Sequence, residues 1–164
     1  MKKNLRFSFL ILAGIFLLFF AYVWKKKETD FYTKLKKIPD HSLVNLELGG
    51  KKYQVEVVNT TASITQGLSD RSEIGSDGML FVMPAKSFYS FWMPRMSFAL
   101  DLLWFNDQTL VEIIPNALPE PADKPLALLP LYTNQKLANL VLELPANTAA
   151  TNQIQIGSEI KISY

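Results

Sequence analysis

The feature that most constrains this chain is the run from Phe7 to Trp24, eighteen residues with no charge and with only Ser8 clearly polar. Lys2, Lys3 and Arg6 precede it, and Lys25, Lys26 and Lys27 end it. As a helix the run would rise about 27 Å, close to the hydrocarbon thickness of a bilayer. Tyr22 and Trp24 fall where an interfacial aromatic belt would lie. A cleaved signal peptide calls for small residues at its cleavage site, whereas this run closes on the bulky Ala21-Tyr22-Val23-Trp24. With no cysteine there is no lipoprotein acylation site either. The expectation is therefore an uncleaved signal-anchor over residues 1–24, with a cleaved signal and a buried core helix as the alternatives. Positive charge flanks both ends. The richer Lys25–Lys37 side favours that side facing the cytoplasm by count. A short basic tail before an apolar run, however, also describes an anchor that exports everything after it.

The charge balance divides at the same place. Residues 1–37 hold nine basic and two acidic residues, and residues 38–164 hold eight basic and thirteen acidic ones. The formal +2 of the whole chain thus averages a cationic leader and an acidic domain. The acidic part lacks the basic face that nucleic-acid binding requires. Residues 25–39 read as a basic stalk, either resting near anionic headgroups or serving as a solvated tether, and Pro39 marks the boundary to a domain over 40–164. The absence of Cys excludes a disulfide scaffold, a thiol nucleophile, a Cys-ligated zinc and an iron–sulfur site. The single His excludes multi-histidine metal sites within one chain.

Beyond Pro39 the pattern is that of short strands. Leu43–Leu48 and Tyr53–Val58 alternate apolar and polar residues around Gly49-Gly50, a hairpin signal. Thr60–Leu68 reads as a short helix capped by Thr60 or Thr61 and ended by Gly67. Met79–Met83 is a continuous apolar run stopped by Pro84, which predicts a strand buried on both faces. Leu102–Phe105 and Leu110–Ile114 form a second hairpin around Asn106-Asp107. Five prolines between Pro115 and Pro130 argue against a long helix or central strand there. Leu140–Leu144 and Glu159–Tyr164 complete the set. The fold class expected is mainly β: a compact sandwich or barrel-like domain with one or two short helices behind a single amino-terminal transmembrane helix.

Several pieces line up in order: Gly67-Leu68-x-x-Arg71, Gly78-Met79-Leu80-Phe81, Phe91-Trp92-Met93, Leu100-Asp101-x-x-Trp104-Phe105, Tyr132, and Val141-Leu142-Glu143-Leu144-Pro145-Ala146. In this order and spacing they resemble the bacterial and archaeal family called domain of unknown function 192, over roughly residues 43–164. The resemblance implies a compact β-rich domain, often behind a signal peptide or anchor, and no established activity. It tips the orientation toward export. Three positions depart from the family's pattern. Pro94-Arg95-Met96 replaces a short polar stretch after Trp-Met, so that only Arg95 could supply a polar contact there. Ser69-Asp70 stands where a Met is common, and Asn147 stands where Gly is usual. Asn tolerates positive φ better than other non-Gly residues, so that turn should survive.

The polar residues that could carry chemistry are few. Asp101 sits between Leu100 and Leu102-Leu103, where a carboxylate needs a partner. Arg71 or Arg95 could offer it a bidentate fork. The competing reading of these residues is an internal ion pair that pins a loop. Glu143 alternates with Leu142 and Leu144 and must point to the opposite face. There it is an ordinary outward residue if that face is solvent, or one of a carboxylate pair if it shares a cavity with Asp101. Trp92 is the best candidate for a partly exposed aromatic in a crowded segment (Phe88–Phe105) that otherwise suits core packing. Met79, Met83, Met93 and Met96 could offer soft ligands to Cu(I), but they suit core gap-filling better. His41 reads as a surface residue, since adjacent Asp40, His41 and Ser42 cannot converge as a triad. Gly75–Gly78 is a turn without the Lys-Ser/Thr of a phosphate loop.

The resulting expectation is a module held to the membrane through residues 7–24, outside the cytoplasmic membrane, that binds an envelope glycan, a peptide or a partner protein. Arg71, Trp92, Arg95, Asp101 and Glu143 are its candidate ligand-binding residues. No cofactor, no metal and no nucleic-acid partner is expected. The alternatives are a structural or assembly protein of the envelope and a hydrolase using Asp101 with Glu143 or Asp77.

Overall fold

The computed structural model describes residues 15–23, 26, 30–121 and 123–163. Residues 15–23 are helical, with exposed apolar side chains. The rest of the expected span over 7–24 lies outside the described residues. Among the described residues no helix is long and apolar enough to cross a membrane.

Among the described residues nine strands build the domain: β1 (Leu43–Leu48), β2 (Lys51–Val58), β3 (Gly78–Ser87), β4 (Ser90–Phe91), β5 (Leu100–Asn106), β6 (Thr109–Ala117), β7 (Tyr132–Thr133), β8 (Ala138–Pro145) and β9 (Lys161–Ser163). Two short helices, α1 (Thr61–Gln66) and α2 (Thr148–Thr151), join them. Seven strands form one sheet in the order β6-β5-β8-β3-β2-β1-β9, while β4 and β7 pair separately as a ribbon. All the pairings are antiparallel except β2 with β3, which α1 connects as a parallel crossover. This is one curled sheet and not the two stacked sheets of a sandwich. Its edges meet where Thr109 bridges Glu159, the Leu110 N–H donates to the Ser158 carbonyl at 2.8 Å, and the Ile160 N–H donates to the Gln108 carbonyl at 2.9 Å. The molecule is a half-barrel whose edge strands are tied rather than left open.

The turns form for local reasons. Gly49 and Gly50 have φ of 58° and 73°, the left-handed geometry that a two-residue hairpin needs. Thr60 caps α1 by accepting from the Ser63 N–H, and the Ser63 side chain accepts in return from the Thr60 N–H. Asn147 takes φ 68°, so the turn survives without Gly. β3 runs through Pro84 instead of stopping there. Its register against β8 shifts between Val82 and Ser87, which absorbs the missing N–H.

The curl separates two cores. Leu80, Val82, Leu103, Phe105, Leu140, Leu142 and Leu144 point inside the half-barrel with Val55, Leu46 and Ile160. Met79, Phe81, Met83, Leu102, Trp104 and Val141 point outward and are covered by Leu68, Ile74 and Met93 from the connecting segments. The stalk joins the inner core: Leu35 is 0% exposed and packs with Phe31, Tyr32 and Ile38. The Tyr32 hydroxyl donates to the Met83 carbonyl, and Lys36 Nζ donates to the Pro84 carbonyl at 2.8 Å. Residues 30–38 are thus docked on the sheet and do not form a free tether.

Asp101 faces inward with Leu144, its partner across the β5–β8 ladder. It is fully buried and accepts three backbone N–H groups: Asn116 at 3.0 Å, Asn147 at 3.2 Å and Ala149 at 2.9 Å. One carboxylate therefore locks the β6 bulge to the turn and α2 after β8. Replacing Asp101 with Ala removes the acceptor of three backbone N–H groups, that of Ala149 buried and those of Asn116 and Asn147 partly so, and should cost about 2–4 kcal/mol. Urea unfolding measures this as a lower midpoint at unchanged slope. A loss under about 1 kcal/mol would mean that those N–H groups find other partners.

Candidate functional site

On the outer face of the half-barrel a cavity of about 210 Å³ opens between the sheet and its covering segments. Its floor is Phe81 and Met83 of β3 with Glu143 of β8. One wall is the end of α1 and Gly67-Leu68-Ser69. The other is Tyr89–Met93 together with Met96. Trp92 stands at the mouth, 49% exposed. Phe91 meets Phe81 edge-on at 5.2 Å and Trp104 edge-on at 5.0 Å, the preferred geometry for aromatic pairs.

Glycine makes this wall possible. Gly67 has φ +50°, and a Cβ there would lie 3.3 Å from the Phe81 ring. Gly78 lets β3 close on β8, since a Cβ there would come within 2.5 Å of the Glu143 carbonyl. The opposite wall is fixed by Asn134, which is 1% exposed and accepts from the Tyr89 N–H at 2.6 Å. The Tyr89 hydroxyl donates to the Ala85 carbonyl at 2.5 Å, and burial raises its pKa.

Glu143 gives the cavity its chemistry. Its cross-strand partners are Met79 on β3 and Leu102 on β5. The residue is 5% exposed, and among the described residues no donor pairs with its carboxyl. Desolvation alone pushes its pKa from 4.5 up to about 8. Beneath Phe91, Trp104 Nε1 is also buried without a hydrogen-bond partner among the described residues. Glu143 at the floor thus has bonding capacity that the described residues leave unused, while Trp104 Nε1 lies behind the lining.

The other expected site residues divide sharply. Arg71 does not reach Asp101. Its guanidinium forks onto Glu56, Nη1 to Oε2 at 2.6 Å and Nη2 to Oε1 at 2.9 Å, and it also donates to the Ile74 carbonyl at 3.3 Å. The Arg71–Glu56 fork holds the Glu56 pKa low and clamps the segment after α1 to β2. His41 lies at the surface and bonds the same carboxylate at 2.7 Å. Arg95 does not reach Asp101 either: its Nε bonds Asp70 Oδ1 at 2.7 Å, with both side chains half exposed. The Asp70 N–H also donates to the Arg95 carbonyl at 3.0 Å, tying the two cavity walls together. Asp101 and Glu143 lie on opposite faces of the sheet, so they do not form a carboxylate pair. Asp77 is elsewhere, accepting from the Gln54 N–H at 2.7 Å. Trp92 and Glu143 line the cavity, Arg71 and Arg95 brace the segments around it, and Asp101 serves the opposite face of the sheet. Gly67 and Ser69 carry no signal of a cavity in the sequence, and Tyr89 and Phe91 belong to the aromatic segment that suits core packing. Sequence reasoning set Met83, Met93 and Met96 aside as packing, although their clustering was the available signal.

The fold and cavity define a small β-domain with a largely apolar, one-carboxylate recess on the convex face of a curled sheet. The chain belongs to the family described as Uncharacterized ACR, domain of unknown function 192, whose model matches residues 44–162. Two solved structures share the fold. A candidate transcription regulator from Sinorhizobium meliloti 1021 is 24% identical, with 75% of this chain and 95% of that chain covered and a TM-score of 0.66. A protein of unknown function from Novosphingobium aromaticivorans DSM 12444 is 23% identical, with 76% and 89% covered and a TM-score of 0.65. No curated protein is similar enough to match.

Two predictions follow the charges in opposite directions. The folded pKa of Glu143 lies above its unfolded value, so the unfolded state releases a proton that the folded state retains. Stability should fall as pH rises from about 4.5 to about 8. Glu143→Gln should remove that slope, matching the parent near pH 4 and exceeding it above about 8 by a few kcal/mol in order of magnitude. Parallel slopes for parent and variant in denaturation across pH would contradict the burial cost. Glu56, with its pKa lowered by Arg71, behaves inversely: its contribution is present above its unfolded value and fades as pH falls. Arg71→Ala should cost about 1–2 kcal/mol at neutral pH, discounted for partial exposure, and less in acid. Arg71→Lys should recover little, because the fork is lost. Full recovery by Lys would show that charge alone matters.

Proposed function

We propose that this chain is a small-ligand-binding module of the cell envelope, tethered to the cytoplasmic membrane by residues 7–24 with its β-domain outside. One observation carries the binding reading: a recess walled by aromatic and thioether side chains has at its floor a single buried carboxyl that the fold does not pair. Ligand sites combine mostly apolar lining with a few placed polar groups. A carboxylate-pair hydrolase is disfavoured, since Asp101 and Glu143 face opposite ways. An assembly role draws on a different surface, the exposed Leu118, Leu128 and Leu131 of the proline-rich loop. The tether reading rests on the uncharged run and its lysine flanks.

The binding reading is tested with the full chain in detergent, its methionine methyl groups labelled with carbon-13. Small fragments that bind should shift the Met83, Met93 and Met96 signals together. A chemically varied set that leaves all three unmoved at millimolar concentration sinks the proposal. Topology is tested by a reporter fused after Tyr164 that is active only outside the cytoplasm. Activity is expected, and a silent fusion whose cytoplasmic counterpart is active contradicts the export reading.

A further inference from the structure

Resting on the reading of this recess as a ligand site, we propose that its ligand is a small organic cation, an alkylated or quaternary ammonium group, seated against Glu143 and the faces of Tyr89, Phe91 and Trp92. Three independent features converge on that class. The first is the carboxyl itself: Glu143 is 5% exposed, lines the cavity, and has no donor from the described residues. A buried acidic group left unbonded by its own fold is one whose acceptor capacity is open to a guest.

The second is the wall. Phe81, Tyr89, Phe91 and Trp92 line one recess, and aromatic faces attract cations held within about 6 Å of the ring. Such cages suit ammonium groups wrapped in methyl or alkyl substituents, because the lining can solvate the carbon and the rings can face the charge. Met83, Met93 and Met96 add polarizable, adaptable surface to the same wall. The third is the lack of competing charge. Glu143 is flanked by Met79 of β3 and Leu102 of β5. Of the residues lining the cavity, Tyr89 is the other titratable one, and its hydroxyl is spent on the Ala85 carbonyl. The lining residues of α1 carry no charge, and Arg95 and Asp70 neutralise each other at the rim. A purely apolar ligand would leave the carboxyl unpaired, and an anion would be repelled wherever the carboxyl is ionised.

The arrangement also sets a sign. Burial pushes the Glu143 pKa up to about 8, so without a ligand the carboxyl should keep its proton at neutral pH. A cation favours the ionised carboxylate, so binding should release a proton at neutral pH, and affinity should rise with pH until about 8 and then level off.

The test uses the full chain in detergent with choline and with its uncharged isostere, in which carbon replaces the nitrogen. Binding is followed by the labelled Met83, Met93 and Met96 methyl signals at pH 6, 7 and 9. Choline should bind about tenfold or more tightly than the isostere at pH 9. That preference should shrink at pH 6 and shrink at every pH in Glu143→Gln, where only the aromatic rings still discriminate, while the isostere's own binding changes little. Trp92→Ala should weaken choline more than the isostere. Equal binding of the two compounds overturns the cation assignment but leaves the ligand-site reading standing. Failure of both, with other fragments also failing to move the methyl signals, overturns the site reading itself. Saturation of the three methionines by Ag(I), with choline unable to compete, would assign the recess to a soft metal and overturn the proposal.

Discussion

The interior strand β8 is buried on both faces, and its parity decides the chemistry of this molecule. Leu140, Leu142 and Leu144 fill the inside of the half-barrel, so Val141 and Glu143 must point outward. That outward face is covered in turn by α1, by the segment after it and by the β4–β7 ribbon. A carboxyl placed by alternation to meet solvent is instead taken out of water. On the neighbouring strand Asp101 has the opposite parity and meets three backbone N–H groups. Two acids in adjacent strands thus have opposite fates: one is saturated and structural, the other unpaired at the floor of a recess.

Much of the fold was legible because the local signals agree with one another. Gly49-Gly50, the Thr60 cap and the Gly67 stop each rest on a conformational preference strong enough to act alone, and the second hairpin also forms, with its turn one residue later than read, at Asp107-Gln108. The unbroken apolar run Met79–Met83 correctly implied a strand buried on both sides, whereas Leu140–Leu144, interrupted by Glu143, read only as a strand. Long-range facts were not legible. Alternation cannot distinguish two stacked sheets from one sheet whose edges meet at Thr109 and Glu159. The parallel β2–β3 pair depends on α1 crossing over, not on any residue within either strand. Lysine content made residues 30–38 look like a tether, while Leu35, Phe31 and Ile38 supply a face that docks.

The site was half legible for a related reason. Trp92 beside a Pro-Arg turn reads correctly as partly exposed, and Glu143 reads correctly as facing away from its leucine neighbours. What covers that face is a tertiary matter, set by Gly67 approaching Phe81 and Asn134 holding Tyr89. The arginines misled because an Asp between leucines invites a charged partner, whereas backbone donors satisfied it and Arg71 and Arg95 found Glu56 and Asp70. They act on the recess indirectly, by holding its walls in place.

The account turns on whether the fold confines a protonatable, unpaired carboxyl in an apolar recess. The most direct measurement is a carbon-13 titration of the Glu143 side-chain carboxyl in the full chain, assigned by its disappearance in Glu143→Gln. The account predicts a midpoint near 8. A midpoint near the ordinary 4.5 would place Glu143 in contact with water or a donor, and would contradict the recess on which the functional reading stands.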